Sequence, residues 1–261
     1  NRIVQLGLYA ALESEKNVMF FKGVKIAALD HSDTSLITLE NAEIIRSKLV
    51  IGADGGHSMV RESANIGTRG WEYSQQALGI QIKTQQAQQD ITWQQFTPQG
   101  PMAFLPLYDG FASLVWYHSA ADIKHLKTLS RAKLKQHILQ HFPADLVDFE
   151  VLDIASFPLT RMHANHYFKG NTVLIGDAAH TINPLAGQGV NIGFKDVIAL
   201  LAIIGDELST FDRISMMQPL RYENWLRKYE ATRRNDNLVM MSAMDLLYST
   251  FSNHHSGLKM L

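Results

Sequence analysis

The residues best suited to chemistry lie in two glycine-bearing stretches more than a hundred positions apart. The sharper runs from Gly170 to Phe194, GNTVLIGDAAHTINPLAGQGVNIGF. A β-branched run, Thr172 to Ile175, leads straight into Gly176-Asp177, and Pro184-Leu185-Ala186-Gly187-Gln188-Gly189 then opens an apolar helix. An aspartate just past a strand can accept hydrogen bonds from a polyol, while the N–H groups of Gly187 to Gly189 at a helix start favour a negative centre. A flavin offers both partners: ribityl hydroxyls, and a pyrimidine edge that carries negative charge once the ring is reduced. Pro184 and Leu185 would add rigid apolar contact. The second stretch, LVIGADGGHSMVR from Leu49 to Arg61, is a strand followed by Asp54-Gly55-Gly56 and by Ser58, which reads as a helix cap. Its glycines allow close approach of a ligand to the backbone. A plain strand–turn–helix uses similar residues, so in isolation the two readings of this stretch stand even.

Other chemistries find less support. With 0 Cys among 261 residues, disulfides, thiolate nucleophiles and Cys-ligated metals are excluded, and a reducing cytoplasm fits. Lys plus Arg number 24 against 25 Asp plus Glu, which gives no general attraction to nucleic acid. Ser58 lacks the G-x-S-x-G setting of a hydrolase nucleophile. His163, His166, His254 and His255 fall in no metal-binding pattern, so no metal site is expected. His180 stands where a general base could stand, but a histidine just past a strand more commonly hydrogen-bonds backbone, and that is the expectation here.

The elements that must position these residues follow from periodicity. Ile3, Val4, Leu6, Leu8, Ala11 and Leu12 keep helical spacing. Strands are expected at Val18 to Phe21, Val24 to Leu29, Ser35 to Glu40 and Lys48 to Ile51. From Trp71 to Leu159 alternating runs, and ten Gln between Gln75 and Gln99, suggest an antiparallel sheet with a solvated face, interrupted by helices at Ala121–Leu129 and Arg131–Phe142. The helix from about Gly189 to Gly205 is apolar on most sides and is expected to be packed inside. Leu220 to Phe251 reads as further helix. Its Met-rich half is expected to pack in the core. Arg221, Arg227, Arg233 and Arg234, interleaved with acids, are expected on a solvated face. No signal peptide is evident in Asn1 to Ser14, and the longest apolar run, Val197 to Ile204, is far short of the roughly 20 residues that span a bilayer. Membrane contact would be peripheral.

In order, Asp54-Gly55 with Arg61, then Gly176-Asp177 and PLAGQG, resemble the single-component FAD-dependent aromatic hydroxylases of the para-hydroxybenzoate hydroxylase type. GDAAHTINPLAGQGVN, with SFPLTRMHANHY before it and DNLVMMSAMDLLYSTFSN after it, is similar to the ubiquinone-biosynthesis branch of that family. The resemblance spans nearly the whole chain. It implies an α/β (α+β) fold: a Rossmann-like FAD-binding domain from residues 1–70 and 160–206, an inserted antiparallel-sheet substrate domain at 71–159, and C-terminal helices at 207–261. It further implies a flavoprotein monooxygenase that uses FAD, NAD(P)H and molecular oxygen to hydroxylate the ring of a polyprenyl benzoquinol. Asp177, with Gly176, would meet the ribityl chain, and Gly187, Gln188, Gly189, Val190 and Asn191 the pyrimidine edge. Pro184 would lie at the face where oxygen reacts, as the catalytic position. Asp54, Gly55 and Arg61 would support the pyrophosphate and nicotinamide side. Gly100 to Leu107 resembles the family's strand over the flavin, which makes Phe104, Leu105, Pro106 and Leu107 the expected substrate-pocket wall. Contact with other ubiquinone-biosynthesis proteins, a homo-oligomer, and a cytoplasmic place on the inner membrane face are compatible with this reading.

The family opens with a βαβ unit carrying GxGxxG and an acidic ribose ligand. This sequence contains neither, so a FAD-binding domain without its N-terminal unit is expected. The alternatives are a non-catalytic module that binds a quinone, a lipid or a partner, and a related hydroxylase acting on another phenol.

Overall fold

The computed structural model describes residues 2–31, 34–86, 90–144, 146, 148–209 and 222–251. Arg221, His254 and His255 lie outside them. Helix α1 (Arg2–Glu13) forms where the helical spacing was expected, and none of its residues is buried. Strands β1 (Ile26–Asp30), β2 (Ser35–Leu39) and β3 (Ile44–Ser47) make a small antiparallel sheet in that order. Val18 to Phe21, expected as a strand, is not one: the segment is exposed and has no neighbour in a sheet to pair its backbone groups.

Strand β4 (Val50–Gly52) and the short helix α2 (Met59–Ser63) carry the first glycine stretch. The chain then enters a six-stranded antiparallel sheet built from β5 (Thr68–Thr84), β6 (Trp93–Thr97), β7 (Gly100–Pro106), β8 (Phe111–Ser119), β9 (Phe149–Ala164) and β12 (His180–Thr181). The strand order is β12-β9-β5-β8-β7-β6. Leu78, Ile80 and Ile82 of β5 alternate inward with Ala112, Leu114 and Trp116 of β8. They form one core with Ile123 and Leu126 of α3 (Ala120–Leu126) and Leu134 and Ile138 of α4 (Arg131–His141). Ser119 and Ser130 cap those helices by accepting the Asp122 and Lys133 backbone N–H groups.

A second core surrounds β4 and β11 (Thr172–Leu174), which run parallel with Gly52 opposite Leu174, while β10 (Phe168–Lys169) flanks β11. Val60, Leu200, Leu226 and Tyr229 close this core from α2, α5 (Gly189–Ser209) and α6 (Tyr222–Phe251). The mixed helix-and-sheet class is as expected from the sequence.

Two expectations for the helices need correction. Helix α5 buries only one face: Ile192, Asp196 and Leu200 point inward, while Val190, Phe194, Ile198 (67 % exposed) and Leu201 (62 % exposed) form an open apolar stripe. Arg233 of α6 is not on a solvated face. It is buried, and it points at Asp196. Met241 and Met244 are buried as expected, whereas Val239 and Leu246 of the same helix are exposed.

Candidate functional site

The parallel pair β4 and β11 brings the two glycine stretches side by side at the C-terminal ends of the strands, the end at which open α/β sheets bind ligands. Close packing explains the first glycine: a Cβ on Gly52 would meet Leu174 Cδ2 at 2.8 Å and Val60 Cγ1 at 2.9 Å. Beyond it, the Asp54 carboxylate accepts Ser58 Oγ at 2.5 Å and Val60 N at 3.1 Å, while Ser58 Oγ accepts Arg61 N at 2.9 Å. Ser58 is thus the cap that the sequence suggested. The Arg61 guanidinium turns inward, donating to Gly56 O at 2.8 Å and to Ala178 O at 2.9 Å. It clasps the two stretches together. Asp54 and Arg61 therefore serve the framework of the turn, where the resemblance had placed them against pyrophosphate and nicotinamide. Gly55 stays partly open beside them.

The second stretch presents its chemistry outward. Gly176 to Ala178 form a single 3-10 turn, and the Asp177 carboxylate accepts no hydrogen bond from any described residue. Desolvation by the surrounding protein raises the Asp177 pKa, and His180 pulls the other way. Pro184 to Ala186 form a further 3-10 turn that ends at Gly187 in the left-handed region, φ 62°, where a side chain would be strained. Nothing lies within 4 Å of where a Gly187 Cβ would sit, so the turn is open on that side. Helix α5 starts two residues later at Gly189, and its first-turn N–H groups have no partner within the helix. Val190 and Asn191 are exposed there, and Asn191 Nδ2 lies 3.4 Å from Gln188 Oε1.

The turn is anchored from below. Leu185 packs with Ala77, Tyr117, Leu159 and Met244 on the face of the six-stranded sheet opposite α3 and α4, and Gln94 of β6 donates to Leu185 O at 2.9 Å. Tyr117 donates to Asn183 Oδ1 at 3.3 Å, while the buried Asn183 Nδ2 has no hydrogen-bond partner among the described residues. This geometry divides the expected pocket wall. Phe104, stacked on Trp93 with ring centroids 6.0 Å apart, and Pro106, two residues on, share the face of β7 turned to α3 and α4. Leu105 alternates onto the Leu185 side together with Ala103, and Leu107 is exposed beyond the strand end. Phe104 is thereby corrected from pocket wall to core.

His180 bonds a carboxylate and not backbone. Its Nε2 lies 2.5 Å from Asp196 Oδ2 in a fully buried pair. Asp196 also accepts from Gly176 N, Arg233 Nε and Asn237 Nδ2, and Asn237 continues to Tyr167 and His163. Burial pushes the Asp196 carboxyl up, yet the His180, Arg233 and Gly176 donors together hold it below the ordinary carboxylate range. Burial, with Arg234, His180 and Arg161 nearby, lowers His163 to about 4. The sequence reading missed Gln94, Asp196, Arg233 and Asn237. The one available signal was an acid inside the apolar run of α5. Among the described residues, no cluster of three or more His, Asp or Glu could hold a metal, and no helix is long and apolar enough to cross a membrane.

The donor set fits the ribityl and ring portion of a flavin: a free carboxylate for hydroxyls, an open left-handed turn leading into a helix N-terminus, and an orphaned buried amide beneath it. Comparison with known proteins agrees. Residues 13–212 match the family model described as FAD binding domain. The whole chain is 44 % identical to the 3-demethoxyubiquinol 3-hydroxylase of Escherichia coli K12, of which it covers 66 %. It is 35 % identical, over 83 % of the chain and 49 % of the relative, to the ubiquinone hydroxylase UbiL of Rhodospirillum rubrum. With the mitochondrial ubiquinone biosynthesis monooxygenase COQ6 of Rattus norvegicus it shares 32 % identity over 89 % of the chain and 55 % of the relative. The chain thus spans half to two thirds of the length of these curated relatives. Among solved structures, PqsL of Pseudomonas aeruginosa superimposes with TM-score 0.82 at 20 % identity over 99 % of the chain and 72 % of that structure. The p-nitrophenol 4-monooxygenase PnpA of Pseudomonas putida gives 0.74 at 18 % identity over 99 % of the chain and 65 % of that structure. Both show the same fold.

Proposed function

As this chain belongs to the FAD binding domain family, we propose that it acts within a FAD-dependent monooxygenase that hydroxylates the ring of a polyprenyl benzoquinol. The observation that carries this reading is the free Asp177 carboxylate beside the open Gly187 turn, on a chain 44 % identical throughout to a demethoxyubiquinol hydroxylase. When bound, FAD reduced by NAD(P)H supplies the chemistry that activates molecular oxygen. The protein's own part is to bind, orient and keep water out. Asp177 takes the polyol, the start of α5 favours negative charge at the ring edge, and Gly187 leaves room for close approach. Pro184 and Leu185 give the ring a rigid apolar seat held by Gln94 and Tyr117. Ala103 and Leu105 on β7 and Val115 on β8 are the side chains we assign to the quinol pocket, on the face that carries Leu185. The separate cores support a division between residues 1–70 with 160–206 and residues 71–159, while α6, the described part of residues 207–261, packs Leu226 and Tyr229 into the first of these. Exposed Val239 and Leu246 suit peripheral contact with a membrane that holds the polyprenyl tail. Contact with other enzymes of the pathway and self-association belong to the same reading.

The test is to purify the protein in its natural length, record its visible spectrum, and supply NADH or NADPH with a short-chain benzoquinol in air. A flavin spectrum and a product heavier by one oxygen atom are expected. A colourless protein that stays so after FAD is added would refute the reading in favour of a non-catalytic binding module.

A further inference from the structure

A polar network centred on a buried carboxylate lies behind the Gly176-Asp177 turn. Asp196 is 0 % exposed, and each of its oxygens takes two donors. Oδ2 receives Gly176 N at 3.0 Å and His180 Nε2 at 2.5 Å. Oδ1 receives Arg233 Nε at 2.8 Å and Asn237 Nδ2 at 3.3 Å. Arg233 also donates to Asn237 Oδ1 at 2.8 Å and to Asp236 at 3.0 Å, and Asn237 Nδ2 donates to the Tyr167 hydroxyl at 3.0 Å. The carboxylate thus joins three segments: the cofactor turn, the His180 strand and α6. A buried carboxylate with four donors is satisfied only in this one arrangement, so it fixes the geometry of every donor it holds.

Resting on the flavin reading above, we infer that Asp196 is the positioning residue of the site. It grips the Gly176 amide from inside α5 and so sets where Asp177 meets the ribityl hydroxyls, with Arg233 supplying the countercharge from α6. Asp196 itself touches neither cofactor nor substrate. An asparagine in its place offers one acceptor oxygen and one donor nitrogen. Arg233 stays charged and keeps the oxygen, which leaves the amide nitrogen facing the Gly176 N–H, donor against donor. The turn must then move, and with it Asp177.

The experiment measures the FAD dissociation constant by quenching of flavin fluorescence, and the melting temperature without FAD, on the protein in its natural length. Asp196→Asn is expected to raise the dissociation constant at least tenfold. Because that variant leaves the buried Arg233 with only the exposed Asp236 carboxylate as countercharge, a double variant, Asp196→Leu with Arg233→Met, replaces the Asp196–Arg233 pair by apolar groups, a change that folds commonly tolerate. It too removes the acceptor for Gly176, and the same loss of affinity is expected. Leu134→Ala, in the core between α4 and the sheet, is the control: it should lower the melting temperature and leave the dissociation constant within threefold of wild type. FAD affinity within threefold of wild type in the Asp196 variants, or an equal loss in Leu134→Ala, overturns the positioning role. Failure of the wild-type protein to bind FAD overturns instead the flavin reading on which the inference rests.

Discussion

Gly187 and His163 show how single residues set the terms of this site. At Gly187 the backbone sits at φ 62°, in a region that costs an L-residue about 1–2 kcal/mol. Gly187→Ala should therefore lower unfolding free energy by about 1 kcal/mol in denaturant titrations, and the added methyl, on the open side of the turn, should weaken FAD binding as well. His163 lies under the site with its Nε2 3.1 Å from the Tyr167 hydroxyl, and its burial first, then Arg234, His180 and Arg161, disfavours its protonation. Its pKa falls from 6.5 to about 4 in the fold, so the folded state resists protonation that the unfolded chain accepts. The contribution to stability is complete above pH 6.5 and is lost as pH falls toward 4. At about 1.4 kcal/mol per pH unit, the loss is on the order of 3 kcal/mol. Guanidinium unfolding of His163→Gln beside wild type should show a shallower acid decline in the variant, and parallel curves would contradict the assignment.

At the scale of elements, helix α5 has two unlike apolar sides. Leu200 faces the core around β4 and β11, and Leu200→Ala should cost about 2–5 kcal/mol. Ile198, on the open stripe, should tolerate serine within about 0.5 kcal/mol. Thermal unfolding of the two variants checks the pair. Strand β7 makes the same point by alternation: Phe104→Ala should destabilise by about 3–5 kcal/mol, whereas Ala103→Leu should leave stability nearly unchanged and raise the KM for the proposed quinol substrate. These contrasts mark what the sequence could and could not reveal. The strand into Gly176-Asp177, the Ser58 cap, the α3 and α4 helices and the long antiparallel sheet were legible because local chemistry dictates them. The burial of α5 was not, since an apolar run states which residues avoid water but not which of them have neighbours. Alternation along β7 gave two faces without saying which looked toward Leu185. Arg233 was hidden for a similar reason: its acids at Glu230 and Asp236 imply a solvated face, and its true partner is 37 positions away on another helix.

Across the whole molecule, the candidate site lies between the two cores. The parallel pair β4 and β11 supplies the turns, the six-stranded sheet supplies the seat under Leu185, and α6 reaches both through Arg233 and Met244. Near its far end α6 is held to the sheet by Asp245, which accepts from the Tyr73 hydroxyl and pairs with Arg161 at 2.8 Å, while Arg161 stacks over Trp71. Such an arrangement couples flavin binding to the packing of the entire chain, so FAD should raise the melting temperature of the protein as a whole. On the proposed reading, Asp177, free at the end of β11, takes the cofactor's polyol. An equilibrium titration of FAD into the wild-type protein and the Asp177→Ala variant, followed by flavin fluorescence, tests it directly. Saturable binding by the wild type and a dissociation constant at least tenfold higher in the variant are the expected result, whereas equal binding by the two proteins would contradict the claim.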